Sequence, residues 1–204
     1  MLRDVRQHLD LARKCAQSGR IDGALAHAAV VDPDHRLRVR VDCSTIPATD
    51  QGLYRNALNG AFRMWEDVLG EKEFEVTECG PYDIMVHFQP NVSDKGIEVC
   101  GHSTWTRGVL NPDTHPVPVF SADVWVRMRK PNGEPLTFEQ LRACAAHEFG
   151  HILGLDDSLD GGLMGKMDFN HPVIAIRPEE VEPLLRARQE AALIRRTFVV
   201  HGSK

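Results

Sequence analysis

Two kinds of hydrophobic pattern divide the chain near residue 34. Residues 1–33 carry apolar side chains at the three- and four-residue spacing of helices, with a break at Ser18-Gly19 and a stop at Asp32-Pro33. From residue 35 onward, stretches in which apolar and polar residues alternate, as in half-buried strands, are mixed with helical stretches. The pattern therefore predicts an N-terminal helical hairpin at 1–33 and one α+β domain at 35–204.

The second half of the predicted hairpin, GRIDGALAHAAVVDPD, weakly resembles a fragment of a tetratricopeptide repeat. A solenoid needs stacked repeats, because one helical pair cannot bury its own faces. We therefore expect the hairpin to pack on the main domain. A partner-binding module is the alternative.

The domain at 35–204 opens with a predicted strand, RLRVRV, and a helix that ends at Gly70. One face of this helix carries the apolar residues Leu53, Ala57, Leu58, Ala61, Trp65 and Val68. Four further stretches are predicted as strands, namely FEVTE, YDIMVHF, HSTWTRG and SADVWVRMR. The segment VLNPDTHPVPVF between the last two contains three prolines, so we expect a surface loop there.

Two more helices are predicted in the C-terminal part. In TFEQLRACAAHEFGHIL, Thr137 can cap the start of a helix and Gln140 can complete a capping box. The last helix is predicted from Pro178 to about residue 196. Pro183 is expected only in its first turn, because proline has no backbone N–H to donate.

Composition narrows the class of protein. The chain has 204 residues, of which 42% are hydrophobic, so it can bury a core. Its net charge of −5 gives no electrostatic reason to expect nucleic acid or an anionic membrane as a partner. No apolar run approaches the roughly 20 residues of a membrane span. The charged N-terminus lacks the apolar stretch of a secretory signal, which predicts a cytoplasmic protein; secretion would require a signal outside this sequence.

The five cysteines predict buried free thiols in a reducing compartment. They are odd in number and contain no Cys-x-x-Cys pair, which argues against a disulfide framework or a zinc ribbon. A bridge from Cys79 to Cys100, or from Cys43 to Cys79, is the minority interpretation.

The stretch HEFGHILGLDDS carries the candidate chemistry. His147 and His151 are four residues apart, so on a helix both project from one face and can bind one metal ion. Glu148 is placed to reach a metal-bound water without being a ligand. A turn at Gly154 would bring Asp157 back as a third, oxygen ligand.

These residues resemble the metzincin metalloproteases, and the matrixin branch (peptidase family M10) in particular. The matrixin motif is His-Glu-x-x-His-x-x-Gly-x-x-His followed by a methionine turn. The chain matches every fixed position except the last, where Asp157 replaces histidine, as in snapalysin-type proteases. GGLM resembles the methionine turn, with Met164 beneath the metal. At the level of strand and helix order, the resemblance covers about 35–195.

The resemblance implies a zincin fold. This is an α+β arrangement with a twisted, mostly parallel sheet of about five strands and one antiparallel edge strand. An active-site helix and a C-terminal helix complete it, here with the N-terminal helical hairpin added.

The resemblance also implies a hydrolase, a zinc-dependent endopeptidase acting on peptides or proteins. One catalytic Zn²⁺ would be held by His147, His151 and Asp157, with Glu148 as general base and then general acid. The substrate would lie extended beside an edge strand near 102–107. The segment 165–172 would form one wall of a specificity pocket, with Phe169 in place of the usual tyrosine.

Several alternatives stay open at this point. A non-catalytic zincin scaffold for binding, or a hydrolase with one narrow protein or amide substrate, would keep the same residues. An iron oxygenase shares the two-histidine, one-carboxylate set but usually on a β-barrel. His171 is a disfavoured third ligand, and His102 and His115 are better explained as surface residues than as a structural zinc site. His87 is interpreted as a strand histidine, while further zinc or calcium ions and the oligomeric state are left open.

Overall fold

The computed structural model describes residues 1–199, which form five helices and seven strands. In chain order these are α1 (Arg3–Gln17), α2 (Ile21–Val31), β1 (Leu37–Asp42), α3 (Gln51–Leu69), β2 (Phe74–Val76), β3 (Ile84–Gln89), β4 (Val92–Asp94), β5 (Ile97–Val99), β6 (Gly101–Leu110), β7 (Val117–Arg127), α4 (Phe138–Leu153) and α5 (Pro178–Val199). No helix in this described part is long and apolar enough to cross a membrane.

Five of the strands form one sheet in the order β2-β1-β3-β7-β6. The strand β1 pairs in parallel with β2 and β3, and β3 pairs in parallel with β7. After β6 the chain turns through residues 111–116 into β7, and β6 forms the antiparallel edge of the sheet. This architecture confirms the predicted mostly parallel, five-stranded zincin sheet. The short antiparallel pair β4–β5 was not predicted.

The helices α3 and α4 pack against each other around a cluster of aromatic side chains. The rings of Phe62, Phe74 and Phe149 meet pairwise with centroids 4.8–4.9 Å apart. Trp65 is fully buried and its indole N–H donates to the carbonyl of Ala146 at 2.8 Å. Burial of such large rings supplies much of the stabilisation of a core.

The predicted surface loop over 109–120 is correct for residues 111–116 and wrong at both ends. Strand β6 continues to Leu110 and β7 begins at Val117, so only residues 111–116 form the turn. Pro118 lies in β7 ahead of Ala122, where the pairing of β7 with β3 begins. Proline is tolerated there because that part of the strand is not in the middle of the sheet.

The prediction that Pro183 lies in the first turn of the last helix is also wrong. Pro183 lies inside α5, beyond the first turn. The helix continues past it because proline removes only one backbone hydrogen bond, a cost that packing of the remaining turns can offset.

The chain divides into two compact units. Unit 1 comprises Met1–His35, Thr106–Ser121 and the described residues from Glu182 onward; unit 2 comprises Arg36–Trp105 and Ala122–Val181. Unit 1 has its own buried cluster, formed by Val5, Leu9, Ala12, Ala28, Val31, Ala187 and Ala191. The predicted hairpin at 1–33 therefore packs with α5 in this unit. That 1–33 and 35–204 are separate domains stays a prediction.

Candidate metal centre

Helix α4 is a rigid frame with a defined start and a defined end. The capping box is present: Thr137 Oγ1 accepts from the Gln140 N–H at 3.4 Å, and Gln140 Oε1 accepts from the Thr137 N–H at 2.8 Å. The helix ends at Gly154, whose φ of 108° lies in the left-handed region that glycine adopts at little cost. This turn redirects the chain so that Asp157 returns toward the last turn of the helix.

The structure brings three predicted side chains together at this end of α4. Oδ1 of Asp157 lies 3.4 Å from Nε2 of His147 and 3.5 Å from Nε2 of His151. The three donor atoms lie within 4.8 Å of one another, and within residues 1–199 no other group of three His, Cys, Asp or Glu side chains is close enough to share an ion.

Both histidines are oriented by backbone carbonyls. Nδ1–H of His147 donates to the carbonyl of Leu163 at 2.8 Å, and Nδ1–H of His151 donates to the carbonyl of Leu155 at 2.9 Å. Donation from Nδ1 leaves the Nε2 lone pair of each ring available to a metal. The two rings stand nearly perpendicular, at 88°.

The donor set fits zinc. Two ligands of a tetrahedral zinc ion, each about 2.0–2.1 Å from the metal, lie about 3.3–3.4 Å apart. The separations between the Asp157 oxygen and the two imidazole nitrogens are close to this value. The Asp157 side chain is 76% exposed, so the centre opens toward solvent, as a catalytic site requires.

A tight turn containing Met164 lies against α4. The N–H of Gly165 donates to the carbonyl of Gly162 at 3.2 Å and closes the turn. The N–H of Met164 donates to Oε1 of Glu180 at 3.0 Å, which ties the turn to the start of α5. A Cβ on Gly150 would clash with Sδ of Met164, so the close approach of helix and turn requires glycine there.

Glu148 lies beside the candidate ligands and is 3% exposed. Its carboxylate accepts a hydrogen bond from the Ser103 hydroxyl of β6. Gly101, two residues earlier on the same face of β6, leaves no room for a side chain: a Cβ would lie 2.6 Å from Glu148 Cγ. Burial raises the pKa of Glu148 to about 7 against the opposing charge of His147 and the Ser103 hydrogen bond.

The family model of the matrixins, peptidase family M10, matches residues 33–171, which include the sheet, the helix α4 and the Met164 turn. The chain belongs to the matrixin family. Matrixins are zinc-dependent peptidases, so the predicted hydrolase class, metalloprotease activity and zinc cofactor are confirmed at the level of the family. No curated protein matches the chain.

In this matrixin, the surroundings shift the pKa of each of the three candidate ligands in a different way. Burial lowers the pKa of His147, but the hydrogen bond with Asp157 and the charge of Glu148 outweigh it and raise that pKa to about 9. Burial lowers the pKa of His151, and the hydrogen bond with His147 lowers the pKa of Asp157. Zinc binds neutral imidazole, so the ion would replace the proton between His147 and Asp157.

The other histidines considered from the sequence lie elsewhere. His171 pairs with Asp168 at 3.0 Å and is not in the ligand group. His102 of β6 stacks on Trp125, and His115 is exposed in the turn after β6. His87 of β3 stacks on the same tryptophan.

All five cysteines are free, so neither minority disulfide is present. Cys15 and Cys144 are buried, as expected of thiols in a core, whereas Cys79 is exposed and Cys43 and Cys100 are half-buried.

Sequence reasoning missed three residues of this site, namely Gly101, Ser103 and Glu180. A signal for the first two was available, because residues two apart on a strand share a face and the edge strand was expected to lie above the active-site helix. Glu180 had no comparable signal, since its contact with the Met164 turn depends on where α5 starts in space.

Proposed function

We propose that this matrixin is an endopeptidase in which His147, His151 and Asp157 hold one catalytic zinc ion. In the same proposal, Glu148 is the general base and general acid. The observation that carries it is the convergence of two Nε2 atoms and one carboxylate oxygen beside a buried glutamate. Met164 supports the centre from the adjoining turn.

When bound, zinc supplies Lewis-acid polarisation of the scissile carbonyl and of the attacking water. Glu148 accepts a proton from that water as its oxygen attacks the carbonyl carbon. Glu148 then gives the proton to the leaving amine as the C–N bond breaks. A carboxyl pKa near 7 suits a group that must first accept and then donate a proton near neutral pH.

The surroundings of Glu148 support this role. The Ser103 hydroxyl can hold one carboxylate oxygen, and Gly101 restricts the side chain from the β6 side. The remaining carboxylate oxygen is then available to a water near the Nε2 atoms of His147 and His151. Fixing the orientation of a base in advance lowers the entropic cost of reaching the transition state.

We further propose that the peptide substrate binds in an extended form along β6. This strand is the edge of the sheet, so its outer backbone groups can pair with a substrate strand. Such pairing supplies affinity without sequence preference. The segment 165–172, with the half-buried Phe169, is proposed as the wall of the pocket that selects the residue after the scissile bond. The cytoplasmic location stays a prediction.

The test is cleavage of a diverse peptide mixture, read by mass spectrometry, with zinc content measured on the same samples. We expect cleavage by the wild type and a loss of about 100-fold or more in Glu148→Ala with zinc retained, since general acid–base catalysis typically contributes that much. Asp157→Asn should bind zinc at least about 10-fold more weakly, because it loses the ligand charge. Asp160→Asn is the matched control, since Asp160 is exposed and outside the ligand group.

Two outcomes would overturn the proposal. Zinc-loaded wild type that cleaves no peptide would indicate a binding scaffold or a narrow substrate instead. Equal zinc affinity in Asp157→Asn and Asp160→Asn would remove Asp157 from the ligand set.

A further inference from the structure

The buried amide of Gln140 joins the start of α4 to the segment 165–172. This residue is 5% exposed. Its Oε1 accepts from the N–H of Thr137 at 2.8 Å, which is one half of the capping box, and its Nε2 donates to the carbonyl of Phe169. All three residues belong to unit 2. The capping box needs only the first of these hydrogen bonds, so the second has a purpose of its own.

The two partners of the Gln140 side chain differ in kind. The backbone N–H is a donor and the backbone carbonyl is an acceptor, so the group between them must offer an acceptor on one side and a donor on the other. Glutamate, the other residue typical of this capping-box position, offers acceptors only, and it would suit the positive end of the helix dipole better. The choice of glutamine therefore serves the contact with Phe169 rather than the start of the helix.

Phe169 lies in a turn that is closed on itself and mostly exposed. The N–H of Asn170 donates to Oδ1 of Asp168 at 2.8 Å, and the N–H of His171 donates to the carbonyl of Asp168 at 3.3 Å. Phe169 is half-buried, whereas the other three residues of the turn are exposed. Exposed segments with few buried contacts open easily, so packing contributes little to holding this turn in place. A hydrogen bond from a buried amide, which is shielded from water, contributes more.

We propose that Gln140 is a positioning residue that sets the specificity of the enzyme. By holding the carbonyl of Phe169, it keeps the pocket wall in place and so fixes which residue the pocket accepts after the scissile bond. The effect on specificity rests on the proposed function, in which Phe169 belongs to that wall, whereas the anchoring of the turn does not. Gln140 precedes His147 by seven residues, about 10 Å along the helix, so it acts on the wall and not on the candidate ligands.

Three variants separate the anchor from the capping box. Gln140→Glu keeps an acceptor for the N–H of Thr137 but turns a second acceptor toward the carbonyl of Phe169, which it repels. Gln140→Met, a neutral side chain of similar length, removes the donor without burying a charge. Thr137→Ala is the matched control, because it removes the Thr137 hydroxyl from the capping box and leaves both side-chain hydrogen bonds of Gln140 in place. Assays at pH 8 keep the introduced carboxylate ionised.

Hydrogen–deuterium exchange, read by mass spectrometry, reports on the turn whether or not the protein cleaves peptides. We expect the amides of 165–172 to exchange at least about 3-fold faster in both Gln140 variants than in wild type, because one hydrogen bond that holds the segment is lost. They should exchange at the wild-type rate in Thr137→Ala. Exchange over 137–145 should stay near the wild-type rate in Gln140→Glu, since the capping box is retained.

Specificity is measured with zinc-loaded protein and two peptides that differ only in having leucine or alanine after the scissile bond. An apolar wall held in place favours leucine, because each methylene in a hydrophobic pocket adds to the discrimination. We expect the ratio of kcat/KM for leucine over alanine to fall at least about 5-fold in both Gln140 variants and to keep its wild-type value in Thr137→Ala. A substitution that only destabilised the enzyme would lower kcat/KM for both peptides alike and leave the ratio unchanged.

The outcomes separate the two levels of the proposal. Wild-type exchange over 165–172 in both Gln140 variants would overturn the anchor. Faster exchange with an unchanged ratio of kcat/KM, or an equal fall of the ratio in Thr137→Ala, would overturn the role in specificity. Wild type that cleaves neither these peptides nor the diverse mixture would show that the proposed function has failed, and exchange would still decide whether Gln140 holds the turn.

Discussion

Glu148 is held by residues from two different elements. It projects from α4, where its neighbours His147 and His151 are set by helical spacing, yet its carboxylate is bonded by Ser103 of β6. A hydroxyl that donates to a carboxylate fixes one oxygen and stabilises the charged form. Ser103 is therefore a positioning residue for the proposed base.

Replacing Ser103 by alanine should slow turnover more than it weakens substrate binding. A hydrogen bond to a charged group is worth about 1.5–3 kcal/mol, so we expect kcat to fall roughly 10-fold with KM little changed. Steady-state cleavage of one defined peptide measures both constants. Ser93→Ala, at an exposed serine of β4, is the matched control. An equal effect in both variants would count against positioning by Ser103.

At the level of elements, the centre depends on how closely α4 approaches the Met164 turn. Gly150 lies between Sδ of Met164 and the ring of Trp65, with no space for a methyl group. The same turn supplies the Leu163 carbonyl that orients His147. Packing of helix against turn and orientation of the proposed ligand are therefore coupled.

Gly150→Ala should weaken both the fold and the zinc centre. Overpacking of a core typically costs about 1–3 kcal/mol, and displacement of the Met164 turn should also lower zinc affinity. Gly52→Ala is the control, because Gly52 is helical in α3 and has no atom near an added Cβ. That variant should be more stable by about 0.5–1 kcal/mol. Urea unfolding and zinc titration measure the two effects, and unchanged zinc affinity in Gly150→Ala would argue against the coupling.

In the whole molecule, unit 1 contains a histidine pair that belongs to no predicted site. Nδ1 of His8 in α1 lies 2.9 Å from Nδ1 of His27 in α2. One ring must accept while the other donates, so the contact requires at least one neutral imidazole. Burial lowers the pKa of both histidines. The charge of Asp4 raises the pKa of His8, whereas the charge of Arg107 lowers it. The charge of Arg20 lowers the pKa of His27.

Stability should therefore fall as the pH drops below about 6.5, the pKa of histidine in an unfolded chain. In that range the unfolded chain binds protons at His8 and His27 that the folded hairpin takes up only at lower pH, which favours unfolding. Between about pH 7 and pH 5, the free energy of unfolding of the double variant His8→Asn, His27→Asn should depend less steeply on pH than that of the wild type. His115→Asn, at an exposed histidine, should keep the slope of the wild type. Parallel curves for all three proteins would refute the prediction.

The sequence by itself determined the features that depend on neighbouring residues. The capping box of Thr137 and Gln140, the left-handed end at Gly154 and the pairing of His147 with His151 on one face all follow from spacing within a few residues. The strand and helix patterns predicted an α+β arrangement. The resemblance of the His-Glu-x-x-His stretch to the matrixins implied the zincin fold, and membership of the matrixin family confirms it.

Only the tertiary structure decided which distant side chains meet. Ser103 reaches Glu148 and Glu180 reaches the Met164 turn because the edge strand, the helix α4 and the start of α5 lie close together. The strands β6 and β7 likewise extend into both ends of the predicted loop, since pairing between neighbouring strands outweighs the local preference of proline. These outcomes depend on packing between elements, which hydrophobic periodicity does not encode.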